Sequence, residues 1–437
     1  MAKFLHIADV HLGIKRYNLP DRTGDFFRAW CEVIERYALA RHVDFVLIAG
    51  DLFDRRLVEP QAANHAMAML MKLADARIPV VVIEGNHDQH EATSRFSWLR
   101  SFSQWGFIKL LEPHWEDGLA EMREWDEDKK KGSYIDIADA RIFGSNWYGS
   151  TTGNVLPALA QAALNKKREG ATNIMLLHSD VEGQLNHKIQ HALSISKLIT
   201  MREAVDYLAL GHTHKRFEIE NWAYNPGSLE ACSVDEIDAE RGAFIVETAG
   251  TNIKTEFVTA AKDFYQRPFK RIPFEIGNSE DPEVIRAEIL ETLRAACVGT
   301  DNVEDAKKPV IELTLRGQLG FKNSLLRLDK LKEQAIEALN PLGLIINNKT
   351  IPKQLAVAIG LSRDVPRSER ELRVIEDLIK QDSRFAARAA EIAPVVVEAK
   401  RLALEGESPE KILQLIEARL FPVVPHSPES AHAEGAD

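Results

Sequence analysis

Cysteine is scarce in this 437-residue chain: Cys31, Cys232 and Cys297 are odd in number and far apart. Such a set supports neither a disulfide framework nor a zinc knuckle, and buried free thiols are expected. Long apolar runs are missing as well. No uninterrupted stretch approaches the roughly 18 residues of a membrane span. The start, MAKFLHIADVH, enters a strand pattern without the cationic and apolar regions of a secretory signal. A cytoplasmic location with no membrane association is the expectation. The chain holds no GxxxxGK[ST] string, hence no loop of backbone N–H groups to cradle ATP phosphates, and any control by ATP must come from a separate chain. Positive charge is not in excess either. Lys and Arg number 55 against 66 Asp and Glu, a net charge of −11, whereas a nucleic-acid binder usually shows a basic face. The deficit is uneven, since 262–353 carries 15 basic and 14 acidic side chains. Charge alone neither supports nor excludes DNA. With 45% hydrophobic and 28% charged residues, the chain is of the ordinary globular type, long enough for two or three domains.

What is present is a series of polar turns, each following a short apolar run. KFLHIA, DFVLIA, VVVIE, NIMLL and YLAL read as strands. They lead into DVH (Asp9, His11), GDLFD (Asp51, Asp54), GNHD (Asn86, His87, Asp88), LLHSD (His178) and GHTH (His212, His214). Open α/β sheets gather ligands at the carboxyl ends of their strands, so five such turns can meet at one rim. Two Asp, one Asn and four imidazoles form a mixed oxygen and nitrogen set suited to a pair of divalent transition metals. Each string alone has a plainer reading. His6, inside the first strand, is expected to be a satisfied core residue. Asp9 and His11 share one side if the extended geometry persists, but D-x-H by itself is weak. Gly50 permits a tight turn that aims Asp51, whose two oxygens can bridge two cations, although an isolated GDLFD reads equally well as a turn or helix cap. Asn86 offers a neutral oxygen, and His87 beside it could donate a proton. Helical periodicity over 25–41 (Phe27, Trp30, Ile34, Tyr37) and 61–76 (Met67, Leu70, Met71, Ala74) reads as sheet cover. The charge-dense 116–134 reads as a solvated hairpin. Order, spacing and placement after five strands are together hard to obtain by accident.

This series resembles that of the calcineurin-like metallophosphoesterases, over roughly residues 1–248. Within that group FLHIADVHLG, LALGHTHKRFEI and WAYNPGSLE look most like the SbcD and meiotic-recombination-eleven DNA repair nuclease family. The resemblance implies one metal held by Asp9, His11, Asp51 and His214, a second held by Asp51, Asn86, His178 and His212, and Asp51 bridging. His87 would be the catalytic non-ligand that protonates the leaving oxygen or steadies the phosphate. Some members carry His where this chain has Asp54, while bacterial members resemble this chain there. The resemblance implies a manganese-dependent DNA exonuclease and, as a second activity, an endonuclease. The enzyme works by a two-metal mechanism in double-strand-break repair, beside a long coiled-coil ABC-type ATPase of the SbcC kind. Imidazole-rich ligation also disfavours magnesium and suits manganese or iron.

The expected fold class is α/β, a metallophosphoesterase sheet sandwich flanked by helices (1–260), with a smaller α+β capping domain (261–355), a helical partner-docking segment (366–420) and a disordered tail (421–437). The cap is expected from a strand at 309–317 and a helix at 325–339, the helical segment from stripes of Leu372, Ile375, Ile379 and Ile412, Ile416, Leu420. A homodimer is expected through the helix bearing Met67, Leu70 and Met71, or through 96–102. A phosphatase acting on a small molecule or phosphoprotein is the alternative activity, because the metal rim alone is common to both. A scaffold without catalysis is opposed by the complete ligand series.

Overall fold

Runs of Val, Ile, Leu and Phe that are apolar at every position, rather than at alternate ones, need cover on both faces. The computed structural model, which describes residues 1–91, 96–184, 192–277, 279–297, 308–352, 366–380, 382 and 384–420, supplies it by stacking two sheets between helices. The strands are β1 (Ala2–Ile7), β2 (Phe45–Ile48), β3 (Val80–Val82), β4 (Lys109–Leu110), a hairpin of β5 (His114–Glu116) and β6 (Leu119–Glu121), β7 (Tyr134–Ile137), β8 (Ala140–Phe143), β9 (Thr172–His178), β10 (Tyr207–Gly211), β11 (Phe217–Ile219), β12 (Ala223–Asn225), β13 (Gly242–Ala249) and β14 (Asn252–Thr259). One sheet runs β14-β13-β1-β2-β3-β4 and the other β11-β12-β10-β9-β8-β7. Strands β1 to β4 are parallel, as are β8, β9 and β10.

Alternation within each strand divides its side chains between two cores. Phe4, Phe45, Leu47 and Phe244 meet Ile174, Leu176, Tyr207 and Ala209 between the sheets. Leu5, Ile7, Val46 and Ile48 face outward onto the helices α1 (Arg22–Val33), α2 (Pro60–Asp75) and α3 (Trp98–Gln104). Met175, Leu177, Leu208 and Leu210 do the same on the other side, against α4 (Thr152–Leu164). The helix expected over 25–41 begins three residues earlier and passes into a π-helical stretch, Ile34–Leu39. That expected at 61–76 starts on Pro60, a residue pre-set for the first helical position. All these elements are α/β, as the sequence implies.

The chain divides into two compact units, Met1–Arg271 with Cys297–Glu312 and Leu339–Ile345, and Ile272–Ala296 with Leu313–Ala338 and Ile346–Asp437. Beyond the sandwich, Phe269–Glu275, Val310–Arg316 and Gly343–Asn348 form a three-stranded sheet. Helix Pro282–Ala296, which the sequence reading did not single out, carries buried Ile285, Ile289 and Leu293. In the second unit Arg367–Lys380, Ala389–Leu404 and Pro409–Leu420 are helices, the middle one lying against both others. The stripe residues Leu372, Ile375, Ile379, Ile412, Ile416 and Leu420 are half-buried, while Leu378, Leu404 and Leu413 are exposed. The tail at 421–437 lies outside the described residues. Among the described residues no helix is long and apolar enough to cross a membrane.

His6 is a core residue, as expected. Its Nε2–H donates to the Leu210 carbonyl at 3.1 Å, which leaves Nδ1 to accept from the Tyr207 hydroxyl at 2.9 Å. Burial holds the imidazole neutral and carries its pKa down to about 3. A histidine whose folded pKa is depressed contributes stability that is complete above its unfolded value of about 6.5 and is lost as pH falls toward the folded one. His6→Phe should therefore flatten the dependence of unfolding free energy on pH between about 6.5 and 3, by roughly 5 kcal/mol at the limit. Urea unfolding of both proteins across that window checks it, and parallel curves would contradict it.

Candidate metal centre

The parallel strands bring the turns after β1, β2, β3, β9 and β10 to one edge of the sandwich, where the two sheets are cross-tied. His178 Nδ1–H donates to the Ala49 carbonyl at 2.7 Å, and the His212 backbone N–H donates to both oxygens of Asp9 at 3.1 and 3.0 Å. The chain does not stay extended past β1, so alternation is not what puts Asp9 beside His11. Asp9 (φ 51°), His11 (φ 48°), Asp51 (φ 53°) and His212 (φ 91°) are all left-handed. For residues with a Cβ that costs on the order of 1–3 kcal/mol each, and such strain gathers at functional sites. It is held by hydrogen bonds: His11 N–H to the Asp51 carbonyl at 3.0 Å and His87 N–H to Asp51 Oδ1 at 2.9 Å.

Asp88 ties two of the turns together. Its Oδ2 accepts from Leu52 and Phe53 N–H at 2.7 and 3.2 Å, and its Oδ1 from Gly85 N–H at 2.8 Å. Burial, reinforced by the Asp51 charge, pushes this carboxyl up to about 8. Gly85 is required by close approach, since a Cβ there would stand 2.1 Å from Asp51 Oδ1.

The imidazoles are oriented from behind. With Nδ1–H given to a carbonyl, His178 turns Nε2 toward Asp51 Oδ2 (3.2 Å), Asn86 Oδ1 (3.1 Å) and His212 Nδ1 (3.2 Å). His212 in turn has its Nε2 on Asp180 Oδ2 at 3.1 Å. His214 has Nδ1 on Glu236 Oε1 at 3.2 Å, which leaves its Nε2 3.0 Å from His11 Nε2 and 4.0 Å from Asp9 Oδ1. His11 Nε2 is also 3.9 Å from Asp51 Oδ2. Asp51 thus belongs to two convergent groups, one with Asp9 and His11, the other with His178 and His212, whose ligand atoms lie within 4.8 Å of one another. Ligand atoms bonded to one ion at about 2.0–2.2 Å are spaced on this scale.

Such a donor set fits divalent cations. Around His178 Nε2 the atoms are lone-pair acceptors facing acceptors, with no donor between them, and only a cation or a proton relieves that. In the metal-free protein a proton does so: burial opposes the charge on His178, but Asp51 and Asp9 outweigh it and carry the pKa to about 9. At the other group, burial and the neighbouring His214 hold His11 well below the usual histidine range. Burial also opposes charge on His214, yet Cys232, Glu236 and Asp9 lift it well above that range, so of the two His214 is the one that takes a proton more readily.

All eight residues anticipated from the sequence, Asp9, His11, Asp51, Asn86, His87, His178, His212 and His214, come together at this edge. His87 Nδ1–H donates to the Asp54 carbonyl at 2.8 Å, and its ring packs edge-on against His11 at 4.8 Å between centroids. Asp54 Oδ1 stands 3.6 Å from His11 Nδ1, beyond hydrogen-bonding range. His11, Asp54 and His87 also form a cluster with metal-ligand spacing, as do His11, His214 and Cys232. Sequence reasoning missed Asp180, Glu236 and Cys232. Asp180 follows His178 within LLHSD and was open to notice; Glu236 and Cys232 sit on a distant loop and carry no local signal.

A two-sheet sandwich with this edge defines a metallophosphoesterase domain, and residues 2–216 match the family model for calcineurin-like phosphoesterases. That part of the chain belongs to the family. The chain is similar to the DNA double-strand break repair protein Mre11 of Archaeoglobus fulgidus, at 32% identity over 246 residues, 54% of this chain and 51% of that protein. The protein of the same name from Aeropyrum pernix is 29% identical, with 64% of each chain covered, and that from Sulfurisphaera tokodaii 25% identical, with 87% of this chain and 93% of that one. The chain thus spans about half the length of the Archaeoglobus relative and less than two thirds of the Aeropyrum one.

Gly85→Ala should leave the sandwich folded yet displace Asp51 and lower divalent-ion affinity at both groups at least tenfold. Calorimetric titration of the metal-free variant, with its circular dichroism as control, checks this. Unchanged ion binding would show that the turn yields without disturbing Asp51.

Proposed function

We propose that this chain is a manganese-dependent DNA exonuclease, with endonuclease cleavage at the same centre, acting in double-strand-break repair. The observation that carries the reading is the pair of acceptor clusters sharing Asp51; similarity to archaeal proteins named for double-strand break repair supports DNA as substrate. One ion would be held by Asp9, His11, Asp51 and His214, the other by Asp51, Asn86, His178 and His212. When bound, a pair of divalent ions activates a water and clamps the attacking and leaving oxygens of an in-line displacement.

The protein's own share is orientation and proton transfer. The carbonyl of Ala49 and the carboxylates of Asp180 and Glu236 fix which nitrogen of His178, His212 and His214 faces the centre. His87, with Nδ1–H committed to the Asp54 carbonyl, turns Nε2 outward, and as the doubly protonated imidazolium it would give the Nε2 proton to the leaving oxygen, returning to the neutral ring. Supporting the manganese assignment, imidazole and carboxylate together suit manganese or iron better than magnesium.

Two partners complete the reading. An SbcC-type coiled-coil ABC ATPase would dock on the helical segment at 366–420; the expected faces of Leu372, Ile375, Ile379 and of Ile412, Ile416, Leu420 are half-buried, and Leu378, Leu404 and Leu413 add exposed apolar side chains to them. A second copy of the chain would pack through the region of α2 and 96–102. There Leu70, Leu99 and Phe102 are buried in the protomer itself, and Met71, Phe96 and Trp105 are the exposed apolar side chains.

Purified protein with labelled single- and double-stranded DNA and a generic phosphate ester, with manganese or chelator, tests the activity. Metal-dependent release of nucleotides is expected, and turnover of the ester with DNA untouched would favour a small-substrate phosphatase. His87→Ala should keep both ions and lose about 10² to 10⁴ in rate, while Asp51→Ala should lose metal. Elemental analysis separates them, and equal metal loss in the two would remove His87 from its role. Light scattering should give twice the 49.1 kDa of one chain; a monomer at micromolar concentration would sink the dimer.

A further inference from the structure

Two backbone bonds join the segment of Asp180 to Leu193: Leu193 N–H donates to the Asp180 carbonyl and Glu182 N–H to the Leu193 carbonyl, both at 2.9 Å. Its carboxylate, 16% exposed, is held by Thr213 Oγ on Oδ1 at 3.0 Å and turns Oδ2 to His212 Nε2 at 3.1 Å. His212 then faces His178 Nε2 through Nδ1 at 3.2 Å, and that His178 nitrogen meets Asp51 and Asn86. The two halves of the centre differ in charge. Asp9 and Asp51 both reach the half containing His11 and His214, whereas the half containing His178 and His212 has Asp51 alone, with Asn86 contributing a neutral amide. His178 is backed by an uncharged peptide carbonyl. Asp180 thus adds an anion in direct contact with an imidazole of the poorer half, where Asp9 meets the His212 backbone N–H instead.

We infer that Asp180 is a positioning residue which, through His212, both fixes the imidazole tautomer and supplies the negative charge that the Asn86 half lacks. Hydrogen bonding to a carboxylate raises the basicity of a ligating imidazole, and loss of such a partner typically costs 10- to 100-fold in metal affinity. Glu236 stands in the same relation to His214, but on the half that already has two carboxylates. The two ions should therefore respond unequally to loss of their outer carboxylates. This rests on the two-ion reading given above.

The experiment is a calorimetric titration of the full-length, metal-free protein with manganese chloride, paralleled by the electron paramagnetic resonance of free manganese. Wild type should take two ions. Asp180→Asn removes the charge while keeping one acceptor oxygen for His212, its NH₂ falling to the Thr213 hydroxyl, which can turn to accept, so it should weaken one ion by 10- to 100-fold and leave the other within about threefold. Asp180→Leu removes the acceptor too and should weaken the same ion further, with a change in the ¹⁵N shifts that report the His212 tautomer in the metal-free protein. Glu236→Gln should cost less than Asp180→Asn. Two ions at wild-type affinity in Asp180→Asn would overturn the charge role. Equal weakening of both ions, or a lowered melting temperature of the metal-free variant, would make Asp180 a structural residue only. A wild type that binds fewer than two ions would overturn the two-ion reading and this inference with it.

Discussion

Acceptor atoms turned toward one another are the constraint around which this domain is organised. Nitrogen and oxygen atoms of His178, His212, Asp51 and Asn86 converge at about 3.1–3.2 Å on one point, which a proton on His178 fills in the metal-free protein and a cation would fill in its place. One proton cannot satisfy every acceptor gathered there, so the scaffold has to hold the rest in place. The left-handed turns at Asp9, His11, Asp51 and His212 are part of that hold, and each is pinned by a backbone hydrogen bond that relaxing the turn would break. Asp88 adds three more by gathering the amides of Leu52, Phe53 and Gly85. A cation returns, as ligation, what the fold spends in strained turns and crowded acceptors.

The same requirement explains why two sheets are needed. Asp9, Asp51 and Asn86 come from one layer, His178, His212 and His214 from the other, and neither layer alone presents a full set. The layers are locked in register by an aromatic core, with Phe4 stacked on Phe45 at 4.9 Å and edge-on to Tyr207 at 5.3 Å. The His6 ring adds hydrogen bonds across the same gap to Tyr207 and Leu210. A shift of one sheet against the other would move half the ligand atoms relative to the rest, so inter-sheet packing far from the rim sets the geometry at the rim.

Much of this was open to reading in the sequence. Runs such as DFVLIA and NIMLL are apolar at every position because both faces are covered, and the polar turns that end them mark one edge. Direction was not legible. DVH suggested that alternation aims Asp9 and His11 together, and the turn does so instead by leaving extended space altogether, which residue type does not betray in Asp or His. Nor were Glu236 and Cys232 legible, because their closeness to His214 depends on how a loop folds back and not on any local pattern. Leu372, Ile375 and Ile379 gave a helical stripe correctly, but a stripe cannot say whether its cover is a neighbouring helix of the same unit or another protein. Here the helix Ala389–Leu404 lies against that of Arg367–Lys380.

The acidity of the chain then takes on a specific meaning. Asp9, Asp51, Asp54, Asp180 and Glu236 all lie within or just behind the centre, and a phosphodiester brought to this edge in the absence of cations would meet an anionic field. Two divalent ions bring four positive charges to the same place and offset most of that field where the phosphate would bind. On the function proposed, nucleic-acid affinity at this edge is thus carried by the ions and not by Lys and Arg, and a net charge of −11 is no obstacle. Metal loading and substrate binding become one linked equilibrium, in which each favours the other by the same free energy. The outer carboxylates set where that equilibrium lies, because they decide how firmly each ion is held before the phosphate arrives.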